Sequence, residues 1–424
     1  MIYLLLLLPV LLLGLGFPIF LILIATVLIA VLTMTDVPPT VIQTVMFGSL
    51  GSFPLLAIPF FIFAGDLMAR GGIARRLIEL IMSVVGGVRG SLGVATIASA
   101  SAFGAMSGSS VACVAAIGKL TLPSLEKSGY GRNFSISMIT ATGVIDVIIP
   151  PSVPMILYAV TAQQPVTQLF LAGIVPGLMI ACGLAGYVML RAQILKLPIS
   201  PRAPLKEVVV LTRRAVWAIF APVLILGGIY GGIFTATEAA GVACVYAAFV
   251  SVYVYGELSW ADVWKVGIES STLTAQIMII VACAGTYSWL ITTSGFPQQL
   301  VGWIDGMGLQ TWALLLAINI LLLIVGSVLE PPAAILVLTP LLTPLAAKAG
   351  LDPIHFGLIV TVNLAVGLFL PPFGLNLFAS HALFKIPLTA LYRGVLPFLV
   401  VYLVALGLLT YVPALTLVPL GWLK

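Results

Sequence analysis

Long runs of apolar residues without a charged side chain divide this 424-residue chain. Asp, Glu, Lys and Arg are absent from residues 1–35, 37–65, 90–118, 147–190, 270–304, 306–329, 353–384 and 394–423. A helix needs about 20 apolar residues to cross the hydrocarbon core of a bilayer. Because each run reaches that length, the pattern predicts an all-α polytopic membrane protein.

The composition supports this prediction. Hydrophobic residues make up 61% of the chain and charged residues 7%, and the mean hydropathy is +1.24. A soluble domain carries about 25% charged residues, so this chain could not hide its apolar surface from water. The net charge of +5 is spread over the segments between the apolar runs, which indicates membrane orientation rather than nucleic-acid binding.

The positions of the basic residues predict two hairpins. Basic clusters at 70–89, 127–132 and 191–214 are expected in the cytoplasm. A single crossing by 90–125 would place Arg89 and Arg132 on opposite sides, whereas a re-entrant hairpin keeps both inside. Segment 293–310 has no Lys or Arg and is expected outside. Residues 311–347 are therefore predicted to form a second hairpin, which enters from the opposite face.

The chain also repeats itself with an offset of 221 residues. Residues 104–176 align with 325–397 without a gap, and Pro150-Pro151 falls on Pro371-Pro372. Together with the charge pattern, this predicts an inverted-topology repeat. Its boundaries are expected at about 16–190 for the first repeat and 237–411 for the second, with a cytoplasmic linker at about 191–214.

Each repeat contains two places where a helix cannot continue. They are rich in Gly and Pro and lie at residues 104–110, 149–152, 326–332 and 370–376. Broken backbone is tolerated at membrane depth only inside protein or beside a water-filled cavity. There its carbonyl oxygens can bind a small cation, and helix N-termini can favour a carboxylate. Polar side chains near these breaks add candidate ligands, namely Ser107, Ser109, Ser110, Asn363 and Asn376.

Five motifs resemble the large membrane subunit of tripartite ATP-independent periplasmic (TRAP) transporters, the DctM-like family. They are FPLLAIPFFIFAGDLM at 53–68, SGSSVA at 107–112, IPPSVP at 149–154, DPIHFG at 352–357 and PPFGLNL at 371–377. The resemblance covers nearly the whole chain. It implies an elevator-type secondary transporter in the bacterial inner membrane, with two hairpins and two broken helices. Such a transporter is usually driven by Na⁺, and H⁺ stays open as the coupling ion here.

The resemblance also implies partners and a substrate. The partners are a small four-helix membrane subunit and a periplasmic substrate-binding protein, and no nucleic acid or further cofactor is expected. The substrate would be a small organic acid or carboxylate, such as a dicarboxylate or sialic acid. It would lie between the two hairpin tips.

Carried over residue by residue, the family pattern implies two cation sites. The first would use Ser107, Gly108, Ser109, Ser110, Gly143, Asp146 and Pro150. The second would use Gly326, Glu330, Asn363, Pro371, Gly374 and Asn376. The candidate substrate-binding residues are Ser109, Ser152, Asn376 and Ser380.

Asp146, Leu370 and Glu330 stand out at or near the predicted breaks. Asp146 stands where the family has glycine, and its repeat counterpart is Gly367. An ionisable residue at membrane depth is a functional candidate, so Asp146 is expected either to support cation or proton coupling or to bind a loop or partner subunit. Leu370 replaces a frequent threonine. Glu330 could pair with a cation, but capping of the following half-helix is preferred.

Three other classes of protein are alternatives. A stand-alone Na⁺- or H⁺-coupled carboxylate carrier or ion antiporter of related fold would share the repeat without an external binding protein. A channel would need a continuous polar pore face, which the sequence lacks. An intramembrane enzyme would need a nucleophile–base pair or a metal cluster such as His-Glu-x-x-His, and the sequence contains neither. No catalytic residue and no transition-metal site are therefore predicted.

Overall fold

The structure, a computed structural model, describes residues 2–199 and 202–423, without the side chains of 2–4, 6, 422 and 423. Within these residues the chain forms α-helices and short helical turns, and no strand. The first ten helices are α1 (Ile2–Gly14), α2 (Ile19–Met34), α3 (Thr40–Leu50), α4 (Ala57–Arg70), α5 (Ile73–Val84), α6 (Ser91–Ser107), α7 (Ser110–Lys127), α8 (Arg132–Thr142), α9 (Val153–Thr161) and α10 (Val166–Ile194). The others are α11 (Leu205–Tyr230), α12 (Ala236–Phe249), α13 (Trp260–Thr293), α14 (Phe296–Gly306), α15 (Thr311–Val328), α16 (Pro331–Lys348), α17 (Pro353–Gly367), α18 (Leu375–Phe384), α19 (Leu388–Tyr411) and α20 (Ala414–Leu417).

Helical segments long enough and apolar enough to cross a membrane occur throughout the described residues. There are eight of them, at Phe53–Arg70, Val166–Ile194, Leu205–Tyr230, Ala236–Val254, Trp260–Thr293, Thr311–Val328, Pro331–Lys348 and Leu388–Tyr411. Many of their large apolar side chains face outward, such as Val216, Phe220 and Val223 on α11. Outward apolar side chains suit lipid, and helices satisfy their own backbone groups there. The predicted all-α polytopic membrane fold is confirmed.

Helices α6 and α7 form the first hairpin. The chain turns at Gly108, whose φ of +65° suits glycine because it has no Cβ. The two arms pack side by side, with the Cys113 sulfur 4.0 Å from the Ala100 carbonyl oxygen. At the open end, the Gly93 N–H donates to the Tyr130 hydroxyl at 3.3 Å. Segment 90–125 therefore returns to the end from which it started.

Helices α15 and α16 form the second hairpin. Leu329 and Glu330 are extended between them, and Pro331 begins α16, where its missing N–H costs nothing. Lys348, the last residue of α16, forms an ion pair with Asp305, which lies shortly before α15 begins. The second hairpin therefore also starts and ends on one side. That either hairpin re-enters the membrane without crossing it stays a prediction.

Two helices are broken at the Pro-Pro pairs. In the first broken helix, α8 passes through a 3₁₀ turn at Gly143–Val147 and breaks before α9. In the second, α17 ends at Gly367 and α18 starts at Leu375. Proline prevents continuation because it lacks an N–H and clashes with the preceding turn. Neither Pro-Pro pair is therefore spanned by a continuous helix.

The helix positions follow the offset of 221 residues. Helices α7 and α16 begin at residues 110 and 331, and α10 corresponds in the same way to α19. These last two helices pack against each other. Tyr187 contacts Phe398, with ring centroids 5.1 Å apart, and Gly183 faces Val401. Gly183 precedes Tyr187 along α10, whereas its contact Val401 follows Phe398 along α19. The corresponding helices are therefore antiparallel, as an inverted repeat requires.

The linker between the repeats is shorter than the basic cluster suggested. Helix α10 continues to Ile194 and α11 starts at Leu205. Of residues 191–214, only 195–199 and 202–204 are described outside these helices, and 200 and 201 lie outside the described residues. Most of the basic residues therefore extend the helix ends instead of forming a loop.

The hairpin geometry predicts which side each end faces. After replacement of the four native cysteines, single cysteines at Arg89 and Lys127 should react with an impermeant maleimide from the cytoplasm only. Cysteines at Gln310 and Ala347 should react from outside only. Labelling of intact cells and inverted vesicles measures this. Reaction of the two ends of one hairpin from opposite sides would contradict the hairpin topology.

Candidate functional site

The tip of the first hairpin packs against the first broken helix at backbone distance. A Cβ on Gly104 would lie 2.8 Å from the Cα of Asp146, and one on Gly143 would lie 3.2 Å from the Ser110 carbonyl oxygen. A Cβ on Gly108 would lie 3.4 Å from the Pro151 carbonyl oxygen. Side chains at these positions would separate the two elements. The structure therefore brings the predicted residues 107–110 together with 143–151.

Asp146 lies inside this first contact. It has 0% exposure, and the backbone N–H groups of Gly108 and Ser109 lie near its carboxyl group. Neither carboxylate oxygen completes a hydrogen bond to any residue that the structure describes. An ionised carboxylate buried without partners is costly. The group is therefore suited to take up a proton or to bind a cation.

The second hairpin and the second broken helix repeat this arrangement. A Cβ on Gly326 would lie 3.0 Å from the Cα of Leu364, and one on Gly367 would lie 2.7 Å from the Cα of Gly326. Gly367 is the counterpart of Asp146 in the repeat, so the second contact carries no carboxylate at that position. The two contacts share a backbone design but differ in charge.

Each break is bridged by equivalent backbone groups. In the second broken helix, the Asn376 N–H donates directly to the Leu368 carbonyl oxygen at 2.8 Å. In the first, the corresponding Met155 N–H donates to the Ser152 hydroxyl at 3.4 Å, which donates to the Val147 oxygen at 2.5 Å. The hydroxyl of Ser152, a predicted substrate ligand, is thus already engaged across the break.

The remaining predicted residues lie in different places. Asn376 reaches the first hairpin tip, where its side-chain oxygen accepts from the Ser110 hydroxyl at 2.9 Å. Ser380 is buried and its hydroxyl lies 2.6 Å from that of Thr140. Ser109, in contrast, is exposed at the tip. Of the four candidate substrate residues, only Ser109 is exposed in this conformation.

The second break is more exposed than the first, although its glycine is closely packed. Gly374 packs closely, since a Cβ there would lie 2.6 Å from the Leu368 carbonyl oxygen. Pro371 is half-buried, whereas Pro150 in the first break is buried.

Glu330 does not cap α16, in contrast to the prediction from the sequence. It occupies the position before α16, but its side chain accepts no hydrogen bond from that helix, and it is exposed. The expected capping role is wrong: Pro332, at the second position of α16, removes one of the two N–H groups that a cap would bind, and the Glu330 side chain does not accept from the other. Its role as a cation ligand stays a prediction.

Three residues at these contacts are not among those predicted from the sequence. Thr140 contacts both Ser380 and Asn376. Asn319 and Thr410 form a buried polar group with Asn363. An asparagine inside the charge-free run 306–329 was a usable signal for Asn319, whereas threonine is too common in membrane helices to indicate the other two.

Paired hairpins against broken helices, inside a helical protein that crosses the membrane several times, are the architecture of a membrane permease. Residues 5–415 match the family model described as tripartite ATP-independent periplasmic transporter, DctM component. The chain therefore belongs to the DctM family and is the large permease subunit of a tripartite system.

Individual relatives carry the same family name. A C4-dicarboxylate TRAP transporter large permease protein DctM of Pseudomonas aeruginosa is 43% identical over 378 residues, covering 89% of this chain and 88% of the relative. The protein of the same name from Rhodobacter capsulatus is 40% identical over 416 residues, covering 95% and 94%. The crystal structure of the Alcanivorax borkumensis YdaH transporter is 15% identical, with a TM-score of 0.65 over 95% of this chain and 97% of its own. That likeness concerns the fold alone.

These findings confirm the predicted family and the multi-pass location in the inner membrane. The relatives are permeases, in line with the expectation that the chain is not an enzyme.

The close contact at Gly104 predicts a stability effect. Replacing Gly104 by Ala places a methyl group against the Asp146 backbone, and overpacking of this kind costs about 1–3 kcal/mol. We expect a lower melting temperature for the purified protein. Gly186→Ala is the control, because no atom lies within 4 Å of its Cβ and alanine favours a helix interior by about 0.5–1 kcal/mol. Equal melting temperatures for the two variants would contradict the contact.

Proposed function

We propose that this permease takes up a small organic acid by coupling its entry to a cation gradient, with Na⁺ as the coupling ion. The observation that supports this most is the pair of buried contacts between hairpin tips and broken helices. The first contact encloses unwound backbone at Gly143–Val147, and the second lies where α17 ends at Gly367; carbonyl oxygens at such places can replace the water around a small cation. Seryl and amide oxygens at Ser110, Asn363 and Asn376 lie at the same contacts.

The two cation sites differ in charge under this proposal. Asp146 gives the first site a carboxyl group, whereas Gly367 leaves the second site neutral. A cation or a proton at the first site would neutralise the buried carboxylate. The complete burial of Asp146 favours this coupling role over binding of a surface loop or the small subunit.

The substrate would bind between the tips. Helices α7, α9, α16 and α18 all begin at the tips or breaks, and helix N-termini favour anions. Ser109 is the exposed candidate ligand there. Two relatives are named for C4-dicarboxylates, which supports a small carboxylate. Cation and substrate would each bind better in the presence of the other, which is the reciprocal linkage that symport requires.

Movement would follow an elevator mechanism, with the two re-entrant hairpins and the broken helices as the mobile core. The contact between α4 and the first hairpin tip is consistent with sliding. A Cβ on Gly65 would lie 3.0 Å from the Ser107 Cα and 3.1 Å from the Met106 carbonyl oxygen. Backbone meets backbone at this point, while buried side chains of both helices, such as Phe61 and Met106, pack in the same core. A small four-helix membrane subunit and a periplasmic binding protein would complete the system.

Reconstitution tests the coupling ion. Proteoliposomes with the permease, its small subunit and its binding protein should accumulate a labelled C4-dicarboxylate under an inward Na⁺ gradient. They should not do so under an equal choline gradient. Accumulation driven by a proton gradient alone would identify H⁺, and not Na⁺, as the coupling ion. Accumulation above the external concentration without any imposed ion gradient would contradict cation coupling.

Asp146→Asn tests the first site, because it removes the charge and keeps the side-chain size. We expect the half-saturating Na⁺ concentration for uptake to rise about tenfold or more, as is typical when a ligand environment is weakened. Asp66→Asn is the matched control: its neighbour Gly65 contacts the first hairpin tip, but the Asp66 carboxylate accepts a hydrogen bond from Ser270 on α13 at 2.7 Å. An ion dependence unaltered by Asp146→Asn would exclude the coupling role.

A further inference from the structure

A buried amide pair joins the second hairpin to the second broken helix. Asn319 on α15 and Asn363 on α17 have exposures of 7% and 0%. The Asn363 amide nitrogen donates to the Asn319 side-chain oxygen at 2.6 Å and to the Ile359 carbonyl oxygen at 2.7 Å. Both of its hydrogens are used. The side-chain oxygen of Asn363 has no partner among the residues that the structure describes.

The hydrogen bonds fix which way both amides point. The Asn319 nitrogen donates to the Leu315 carbonyl oxygen at 2.9 Å and to the Thr410 hydroxyl at 3.2 Å. Turning Asn319 over would set its oxygen against the Leu315 oxygen. Turning Asn363 over would set its oxygen against those of Ile359 and Asn319. Because two oxygen atoms in contact repel each other, the atom without a hydrogen-bond partner at this site is the Asn363 side-chain oxygen.

A buried oxygen without a partner costs about 1–3 kcal/mol, and a bound ion is one of the reasons for which a protein keeps one. The first repeat has the same feature at the same position. Thr142, the counterpart of Asn363, is buried and its hydroxyl oxygen is also unpartnered within the described residues. Among the buried polar side-chain atoms left unpartnered there, these two are the one pair related by the offset of 221.

Not every hydroxyl of the broken helices is left unpartnered in this way. Thr140 and Thr361 are also repeat counterparts and lie two residues earlier. Both donate to the carbonyl oxygen four residues before them, at 2.7 Å and 2.8 Å. Thr142 could make the same bond and does not. Within the described residues, each broken helix thus has an unpartnered side-chain oxygen one turn before Asp146 or Gly367, and the first also has unpartnered oxygens at Ser137 and Asp146.

We infer that Asn319 is a positioning residue that holds the Asn363 side-chain oxygen free as a ligand for a monovalent cation. Thr142 provides the corresponding oxygen in the first repeat. Asn319 does not touch the ion. It accepts the Asn363 amide hydrogen, and this keeps the oxygen of Asn363 turned toward the site. This inference rests on the proposed cation coupling and assigns one ligand of the second site.

Sodium-dependent melting of the full-length purified chain tests this without partners or substrate. The melting temperature is followed in NaCl, with choline chloride keeping the ionic strength constant, because an ion that binds the folded state stabilises it. Asn319→Leu removes the acceptor at similar volume. We expect its half-effective Na⁺ concentration to rise about tenfold to a hundredfold, as for the loss of an outer-shell partner.

Thr410→Val is the matched control. It removes a hydroxyl from the same buried group, but Asn319 keeps its bond to Leu315 and its oxygen still faces Asn363. Thr410→Val should therefore lower the melting temperature while changing the half-effective Na⁺ concentration less than about twofold. In addition, Asn319→Leu should add nothing to Asn363→Leu, because it acts through that residue.

The outcomes separate the two proposals. If Asn319→Leu lowers the melting temperature with an unchanged Na⁺ response, the amide pair is structural and the inference is refuted, while cation coupling stands. Additive effects in the double variant would also refute it. If the unmodified chain shows no response to Na⁺, both this inference and sodium coupling fail.

Discussion

The structure depends on one constraint: backbone that leaves a helix within the membrane must find its partners inside the protein. Lipid offers no hydrogen bonds, so an open break facing it would be unstable. Here each broken helix is enclosed against a hairpin, with the first break buried and the second partly exposed, and glycines at 104, 143, 326 and 367 allow backbone to approach backbone. The same enclosure that makes the breaks tolerable also gathers oxygen atoms in a protected place.

The inverted repeat explains why this happens twice. Equivalent carbonyl and N–H groups bridge both breaks, at 147 and 155 in one repeat and at 368 and 376 in the other. The repeats then diverge in their side chains. Ser152 inserts a hydroxyl into the first bridge, and Asp146 adds a carboxyl group where Gly367 adds none. A shared backbone thus supports two sites with different chemistry.

The sequence predicted what depends on local chemistry. Pro-Pro pairs, glycine clusters and charge-free runs predicted the helices, both breaks and both hairpins, because these features limit the backbone wherever they occur. Side-chain partnerships could not be predicted in this way. The contact of Asn376 with the first hairpin instead of the second, and the pairing of Asn319 with Asn363, depend on neighbours far along the chain. Glu330 does not cap α16 because the proline at the second helical position lacks the N–H that a cap would bind.

The most direct measurement is an experimental density map of this permease in lipid, determined once in saturating NaCl and once in choline chloride. The account predicts sodium-dependent density between each hairpin tip and its broken helix, coordinated by backbone carbonyl oxygens and by the side chains of Asp146 and Asn363. Identical maps in the two salts, with neither site occupied, would contradict it.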